Sequence, residues 1–325
     1  MNFDKGGELV LPENKILTIY TYDSMVSDWG LGPVIVSKFE KKCDCTVKMI
    51  GFGDAGQVLN RLILEKDNPK ADLVIGIDST LSQKAIKANV LQKFTPKNIN
   101  IVSNDLRFDS TNHLTPYDFG FIAFVYDSES LKKIPLSLED LTKPEFKDKI
   151  IIEDPRTSSP GFSLLLWTVA EFGEEGYVNF WKKFKNNVLT VTSGWDEAYG
   201  LFQAGEAPIV LSYATSPAYH VEFEKNFKYK ALNFDSGLYR QIEAIGIVKG
   251  SKNKVLAQEF VEFSLTSDFQ SEIPLTQWVF PVNQEVQMPK SYNYAVNPEI
   301  FYELSPETIS KNQNEWLAEW EKIFS

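Results

Sequence analysis

The chain has 325 residues, 43% of them hydrophobic and 24% charged, a composition typical of a soluble globular protein large enough for two lobes. Its net charge of −11 argues against a nucleic-acid partner, because that binding depends on Lys and Arg side chains that neutralise phosphates. No apolar run reaches the length of a membrane-spanning helix, so none is predicted.

Residues 1–14 are mostly polar and contain no hydrophobic signal core, and we predict that they form a flexible tether. The chain is then either cytosolic or the mature form of an exported protein. The first third of the chain alternates apolar runs with amphipathic segments. We predict strands at 15–21, 46–50 and 71–76 and helices at 33–42, 57–65 and 81–88.

This alternation predicts a parallel sheet with right-handed crossovers. The polar loops at 22–30 and 76–80 follow strands, and open α/β sheets bind ligands at the carboxyl ends of their strands. The pattern then changes, because 114–127 and 240–249 are long extended runs that can carry the chain from one lobe to another.

Between these two runs the alternation resumes. Here we predict strands at 149–153, 188–192, 209–213 and 229–233, helices at 162–172, 177–184 and 195–203, and a helical piece at 138–141. Helices at 253–265 and 312–323 close the chain. The predicted first lobe is 15–116 with 246–280, the second is 117–245, and 281–325 packs across both. Two such lobes with a cleft between them are the architecture of hinge-closing solute-binding proteins.

Six large aromatic residues lie among turn-forming or small polar residues: Tyr22, Trp29, Trp195, Tyr213, Tyr219 and Trp278. Aromatic residues on loops are available to a ligand, because loops lie at the surface. Few basic residues accompany them, which favours a flat cation that can stack and make cation–π contacts. In contrast, Trp167, Trp181, Trp316 and Trp320 lie within predicted helices, and we predict that they are core residues.

The run 156–161 precedes an apolar helix. Pro160 and Gly161 suit a tight helix entry, and Ser158 or Ser159 can cap it. A helix N-terminus also attracts anions, so simple capping and a sulfate or phosphate site both stay open. For the helix at 195–203 we predict a cap from Ser193 or Asp196.

The sequence predicts no metal site and no catalytic centre. Cys43 and Cys45 are the only cysteines, and His113 and His220 have no metal-ligand spacing. A reduced cysteine pair and a tight local disulfide both stay open, and export would favour the disulfide. Because nucleophile-elbow, P-loop and zinc-protease motifs are also absent from the sequence, it favours a binding protein over an enzyme.

Several segments, read together, are more specific than any one of them. They are 21–33, 43–45, 117–126, 154–161, 194–202, 211–220 and 273–281. In combination they resemble the periplasmic thiamine-binding proteins of ABC importers. The resemblance implies a type II periplasmic binding protein fold, with mixed, mainly parallel sheets flanked by helices and a ligand cleft between the lobes.

The resemblance also implies a function. The expected ligand is thiamine, its monophosphate or its diphosphate, delivered to an ABC permease by a periplasmic, free or lipid-anchored monomer without a cofactor. The implied aromatic site is Tyr22, Trp29, Trp195, Tyr219 and Trp278, with Tyr213 close by. Asp23 is implied for the positive or amino-bearing portion of the ligand, and Ser158, Ser159 and Gly161 for its phosphate.

Two alternatives stay open. The same fold can bind another solute, such as iron(III), a polyamine or a phosphonate, and an iron site would use the tyrosine pair Tyr213 and Tyr219. The second alternative is a thiamine-degrading enzyme, which needs a nucleophilic cysteine and a base in the cleft. Cys43 and Cys45 lie away from the predicted cleft loops.

Overall fold

The computed structural model describes residues 15–325, so the predicted tether lies outside the described range. The strands in this range are β1 (Ile16–Thr21), β2 (Thr46–Gly51), β3 (Leu73–Asp78), β4 (Leu91–Gln92), β5 (Leu114–Asp127), β6 (Ile150–Glu153), β7 (Val188–Thr192), β8 (Ile209–Tyr213), β9 (Tyr229–Ala231), β10 (Leu238–Val248), β11 (Phe280–Pro281) and β12 (Phe301–Tyr302). The helices are α1 (Asp23–Val26), α2 (Leu31–Cys43), α3 (Ala55–Leu64), α4 (Ser82–Lys87), α5 (Ser159–Phe184), α6 (Trp195–Gln203), α7 (Ser216–Tyr219), α8 (Lys254–Ser264), α9 (Ser267–Gln270), α10 (Ile273–Thr276) and α11 (Pro306–Phe324).

The strands form one open, mixed sheet in the order β2-β1-β3-β10-β5-β8-β6-β7. At one end β2, β1 and β3 are parallel, and at the other end β8, β6 and β7 are parallel. The central strands β10 and β5 run antiparallel to each other and to their outer neighbours. We call the β2-β1-β3 side the first lobe and the β8-β6-β7 side the second lobe.

The two long extended runs are confirmed as the connections between the lobes. β5 is a single strand of 14 residues, and its first half pairs with β10 while its second half pairs with β8. β10 has 11 residues, all buried, and it joins β5 to β3. Because both strands pass through the centre of the sheet, the two lobes are continuous and the predicted two-lobe α/β fold is confirmed.

Most helix bounds lie within about two residues of the prediction, whereas α5 and α11 begin earlier than predicted and the cap of α6 differs. α5 begins at Ser159, and it consists of two helical halves that meet at Gly173, whose backbone is non-helical (φ 71°, ψ 178°). The two separate helices predicted at 162–172 and 177–184 are therefore confirmed. α6 is capped by Gly194 in extended backbone, so the cap predicted from Ser193 or Asp196 is wrong, and the Glu197 carboxylate accepts the Ser193 N–H instead (3.2 Å). α11 begins at Pro306, because Ser305 caps it.

The four helical tryptophans are core residues, as predicted. Trp167, Trp181, Trp316 and Trp320 are each at most 2% exposed. Trp316 of α11 donates from Nε1 to Glu174 of α5 (3.0 Å), and Ser310 of the same helix accepts a hydrogen bond from Lys87 of α4. The C-terminal helix therefore contacts an element of each lobe.

Cys43 and Cys45 form a disulfide at the end of α2, so the reduced alternative is wrong. The bridge closes a loop of only three residues, and its effect on the entropy of the unfolded chain is correspondingly small. We expect Cys43→Ser with Cys45→Ser to lower the free energy of unfolding by at most about 1.5 kcal/mol. Thermal unfolding followed by circular dichroism should show a midpoint lower by less than about 5 °C. Loss of cooperative folding would contradict this.

Within residues 15–325, no helix is both long enough and apolar enough to cross a bilayer. The same part of the chain contains no cluster of three or more His, Cys, Asp or Glu side chains arranged to hold a metal ion.

Candidate ligand-binding cleft

A cavity of about 450 Å³ lies between the lobes. Loops that follow the carboxyl ends of strands form its walls, as expected for an open α/β sheet. Its aromatic lining is Tyr22, Trp29, Trp195, Tyr199, Tyr213, Tyr219 and Trp278, and its acidic lining is Asp23, Asp54, Asp196, Glu197 and Glu243. Among the described residues that line it there is no Lys or Arg.

The first aromatic group is centred on Trp195, the first residue of α6. One face of its ring stacks on Tyr199 (4.9 Å between centroids, 20° between planes), and its Nε1 donates to Ser212 Oγ (2.8 Å). Across the cleft lies Trp29 of the first lobe, 6.5 Å from Trp195 between centroids and 47% exposed. The two ring planes are inclined at 59°, so the tryptophans border the same space from opposite lobes without being parallel.

Tyr199 is held from behind by a buried histidine. Burial lowers the pKa of His220, so the ring is neutral. Its Nδ1–H donates to the Glu224 carboxylate (2.8 Å), which leaves Nε2 to accept from the Tyr199 hydroxyl (2.8 Å). This chain of contacts fixes the orientation of Tyr199 and, through it, the stacking face of Trp195.

The second aromatic group is Tyr219 with Trp278, whose rings meet edge to face at 5.3 Å. Trp278 has φ of 59°, in the left-handed region that a bulky residue rarely adopts. Thr215 of the second lobe donates a hydrogen bond to its carbonyl, and this contact holds the strained backbone in place. Tyr219 ends helix α7, directly after β8.

The floor of the cavity is a buried carboxyl group that the sequence analysis did not select. Glu243 of β10 accepts hydrogen bonds from the hydroxyls of Tyr22 (2.8 Å) and Tyr117 (2.6 Å). Burial raises the pKa of Glu243 to about 7, although the two hydroxyl donors act in the opposite direction. Burial also raises the pKa of Tyr22 and Tyr117 well above the usual value, so both phenols stay neutral donors.

Asp118 lies beside Glu243, in register with it across β5 and β10. Both of its carboxylate oxygens are buried without a hydrogen-bond partner. Burial, reinforced by the charge of Glu243, raises the pKa of Asp118 well above its usual value. Asp118 is therefore the neutral member of the pair, and Glu243 is the member that ionises near neutral pH and faces the cavity.

The remaining acidic groups lie on both sides of the cleft. Asp23 accepts the Gly53 N–H (3.0 Å) and so holds the loop after β2. Partial desolvation in the cleft raises the pKa of Asp196 to about 6, assisted by the charges of Asp54 and Asp23, while the residue keeps an exposed surface. The cavity thus carries a negative potential that favours a cation.

Eight of the ten predicted site residues line the cavity, namely Tyr22, Asp23, Trp29, Ser159, Trp195, Tyr213, Tyr219 and Trp278. The other two, Ser158 and Gly161, lie behind the lining. The Ser158 hydroxyl caps α5 by accepting the Gly161 N–H (3.4 Å). A side chain at position 161 would meet the Glu153 carbonyl at 2.5 Å, so glycine is needed there for close packing.

Sequence reasoning missed Asp54, Gln57, Ser216, Tyr199, Glu243 and Gln277, all of which line the cavity. For two of these residues, the surrounding sequence indicated a special role. Asp54 begins an Asp-x-x-Gln pattern, and the structure shows the capping box that it predicts. Glu243 is an acidic residue within an otherwise apolar run, which is costly unless the charge has a partner or a purpose.

Comparison with known proteins places the chain in a family. Residues 68–300 match the profile of a family described as bacterial extracellular solute-binding protein. A thiamine-binding periplasmic protein from Brucella melitensis is 43% identical over 307 residues, which cover 94% of this chain and 90% of the relative.

Solved structures give the same result. A periplasmic thiamin binding protein has a TM-score of 0.90 at 39% identity, and the match covers 95% of this chain and 96% of that one. A ferric binding protein from Campylobacter jejuni has a TM-score of 0.80 at 22% identity, covering 94% and 99%, and this likeness shows the fold alone. The chain therefore belongs to the bacterial extracellular solute-binding proteins and, within them, to the family of periplasmic thiamine-binding proteins.

Proposed function

We propose that this protein captures thiamine in the cleft between its lobes and delivers it to an ABC import permease. The observation that carries the proposal is a cavity walled by aromatic rings from both lobes and lined by five carboxyl groups. Thiamine joins an aminopyrimidine to a permanently cationic thiazolium. Such a ligand matches both the stacking surfaces and the negative charge of the cavity. The names of the proteins that this chain resembles point to the same solute.

The proposed site has one aromatic group for each ring of the ligand. Trp29 and Trp195 face one ring from opposite lobes, and the exposed Trp29 turns from its 59° inclination to stack on it. Tyr219 and Trp278 border the other ring, while Tyr22 and Tyr213 complete the walls. Asp23 and Glu243 supply negative charge for the positive or amino-bearing portion. Closure of the lobes on the ligand uses its higher affinity for the closed state.

We further propose that the protein works in the periplasm as a monomer, free or lipid-anchored, with the permease subunits as its partners. The lobe limits 15–116 with 246–280, and 117–245, are part of this proposal, as is the packing of 281–325 across both lobes. Their support is that β5 and β10 cross the middle of the sheet and that α11 contacts α4 and α5.

The alternatives use the cleft less fully than thiamine does. A polyamine is a cation and suits the acidic lining, but it has no ring to stack on the aromatic walls. To bind iron(III), the Tyr213 hydroxyl would have to give up its hydrogen bond to Gln241 Oε1 (2.8 Å). A phosphonate is an anion and would meet the acidic lining. A thiamine-degrading activity would need a free cysteine nucleophile, whereas both cysteines form the Cys43–Cys45 disulfide, which lies outside the lining of the cavity.

The test is a titration of tryptophan fluorescence with thiamine, its monophosphate and diphosphate, iron(III) and spermidine. We expect saturable quenching by thiamine at micromolar concentration or below, because Trp29, Trp195 and Trp278 line the cavity. Iron(III) and spermidine should leave the signal unchanged in that range. If no form of thiamine quenches at micromolar concentration, the proposal is wrong.

The affinity for thiamine should also depend on pH. A bound cation favours the ionised form of a carboxyl group, so affinity rises as Glu243 (pKa about 7) and Asp196 (pKa about 6) lose their protons. Asp118, Tyr22 and Tyr117 face Glu243, and burial raises the pKa of each of them well above its usual value. We expect the dissociation constant to fall about five- to tenfold from about pH 6 to about pH 8 in calorimetric titrations. A constant affinity over this range would show that neither carboxylate acts on the ligand.

A further inference from the structure

The centre of the sheet contains two β-bulges, one on each side of β10. Each adds one residue to a neighbouring strand: Tyr117 of β5 lies between the pairs Glu243–Asp118 and Ala244–Pro116, and Gly76 of β3 lies between the pairs Ala244–Ile77 and Ile245–Ile75. A bulge redirects side chains where it interrupts a strand, and bulges are frequent beside functional sites. Both bulges adjoin Glu243, the carboxyl group at the floor of the cavity.

The bulge in β5 directs Tyr117 toward Glu243. Along a regular strand successive side chains point to opposite faces, so Tyr117 and Asp118 would lie on different sides of the sheet. Here Asp118 is the register partner of Glu243, and the Tyr117 hydroxyl also reaches Glu243, donating to Oε2 (2.6 Å). The extra residue therefore brings two consecutive side chains to the same carboxyl group.

Gly76 leaves the space that the second phenol needs. β3 lies between β1 and β10 in the sheet, and Tyr22, which directly follows β1, crosses over β3 to donate to Glu243 Oε2 (2.8 Å). A side chain at position 76 would overlap the Tyr22 ring, and the φ of 93° at Gly76 is a conformation that favours glycine. Glycine at this position therefore allows the Tyr22 hydroxyl to reach the carboxylate.

Both phenols donate to the same carboxylate oxygen. Within residues 15–325 no hydrogen bond holds the other oxygen, Oε1, which leaves it for a ligand in the cavity. The other ionisable groups near this carboxylate are Asp54, Asp78, Asp118 and Tyr213. Burial raises the pKa of Glu243 to about 7, and the two donors act against burial because they stabilise the ionised form. Loss of one donor should therefore raise the pKa of Glu243 further.

We propose that Gly76 and Tyr117 are positioning residues of the ligand site, because their bulges bring two phenol hydroxyls onto Glu243 and hold its negative charge in place for a cationic ligand. Neither residue lines the cavity, so each acts through its neighbours. The part of this inference that concerns the ligand rests on the proposed function, whereas the environment of Glu243 can be measured in the ligand-free protein.

The first experiment compares Tyr117→Phe with Tyr239→Phe. Tyr239 is a buried tyrosine of β10 whose hydroxyl accepts the Leu304 N–H (3.4 Å) instead of bonding to Glu243. In protein labelled with ¹³C at the glutamate carboxyl groups, the NMR signal of Glu243 is assigned by its loss in Glu243→Gln and is followed against pH. We expect Tyr117→Phe to raise the pKa of Glu243 by at least about half a unit and Tyr239→Phe to leave it unchanged. A smaller rise in Tyr117→Phe, or an equal rise in the control, would overturn the proposal.

The second experiment compares Gly76→Ala with Gly205→Ala. Both glycines have positive φ, 93° and 82°, but a side chain at position 205 would meet nothing within 4 Å. The two substitutions thus share the backbone strain, and only Gly76→Ala displaces Tyr22. In calorimetric titrations at about pH 8 we expect thiamine affinity to fall at least about fivefold in Gly76→Ala and to stay unchanged in Gly205→Ala. Unchanged affinity in Gly76→Ala would refute its positioning role.

The two experiments separate this inference from the proposed function. Circular dichroism verifies that each variant is folded, and if Gly76→Ala does not fold, the titration of Glu243 in Tyr117→Phe decides the proposal. If the wild type bound no form of thiamine, the proposed function would fail. The NMR titration would then still decide whether the bulges set the environment of Glu243.

Discussion

Replacing Trp195 by Ala is expected to weaken thiamine binding at least about tenfold, because each stacking or cation–π contact contributes roughly 0.5–2 kcal/mol and 1.4 kcal/mol corresponds to a factor of ten. One face of the Trp195 ring is covered by Tyr199, and the other faces Trp29 across the cavity. The substitution therefore removes the central stacking surface of the first aromatic group. Calorimetric or fluorescence titration with thiamine measures the effect.

The matched control is Trp316→Ala. Trp316 is 1% exposed in the core beside α5, and its truncation should lower the free energy of unfolding by about 3–5 kcal/mol while leaving the thiamine affinity of the folded protein unchanged. Trp195 is only partly buried, so its truncation should cost less than about 2 kcal/mol of stability. A large loss of stability with unchanged affinity in Trp195→Ala would mean that this ring is a packing residue.

The second large effect is expected at Glu243. Glu243→Gln keeps the shape and the acceptor oxygen for the Tyr22 and Tyr117 hydroxyls but removes the negative charge. At about pH 8 we expect thiamine affinity to fall at least about tenfold, because an ion pair in a partly desolvated site has an effective dielectric constant well below that of water. The difference from wild type should shrink at about pH 6, where Glu243 is largely protonated.

The stability of Glu243→Gln should not fall as its thiamine affinity does. The pKa of Glu243 is raised by burial, which means that the ionised carboxylate is costly in the folded protein at pH 8. Glu243→Gln should consequently unfold at the same temperature as wild type or higher, a trade of stability for function. Glu129→Gln, at an exposed position, controls for the change in net charge. Equal affinity for thiamine in Glu243→Gln and wild type at pH 8 would show that the Glu243 carboxylate does not act on the ligand.

Much of the fold was predictable because local patterns and tertiary structure agree. The limits of α6 and β8 match the sequence prediction, since amphipathic and apolar periodicity are interrupted there by glycine and polar turn residues. The cap of α6 was not predictable from residue type, because Gly194 adopts extended backbone and Glu197 reaches back to Ser193. The break within α5 falls at Gly173, in the gap between the two predicted helices.

The aromatic part of the candidate site was also predictable, since loops after strands carry Tyr22, Trp29 and Tyr219 to one edge of the sheet. Of its acidic part, only Asp23 was predicted. Glu243 acquires its environment from Tyr22, which is 221 residues away in the sequence, and Asp54 meets Trp195 across 141 residues. Local patterns mark Asp54 as a helix cap and Glu243 as a buried acid, but they do not predict the partners that each residue meets when the lobes come together.

A crystal structure of the protein with bound thiamine tests the central claim most directly. We predict both rings of the ligand inside the interlobe cavity, with one ring between Trp29 and Trp195 at van der Waals distance (about 4 Å) from the free face of Trp195. The other ring should lie against Tyr219 and Trp278, with the Glu243 carboxylate in contact with the ligand. Thiamine bound outside this cavity, or inside it without contact to Trp195 and Glu243, would contradict the account.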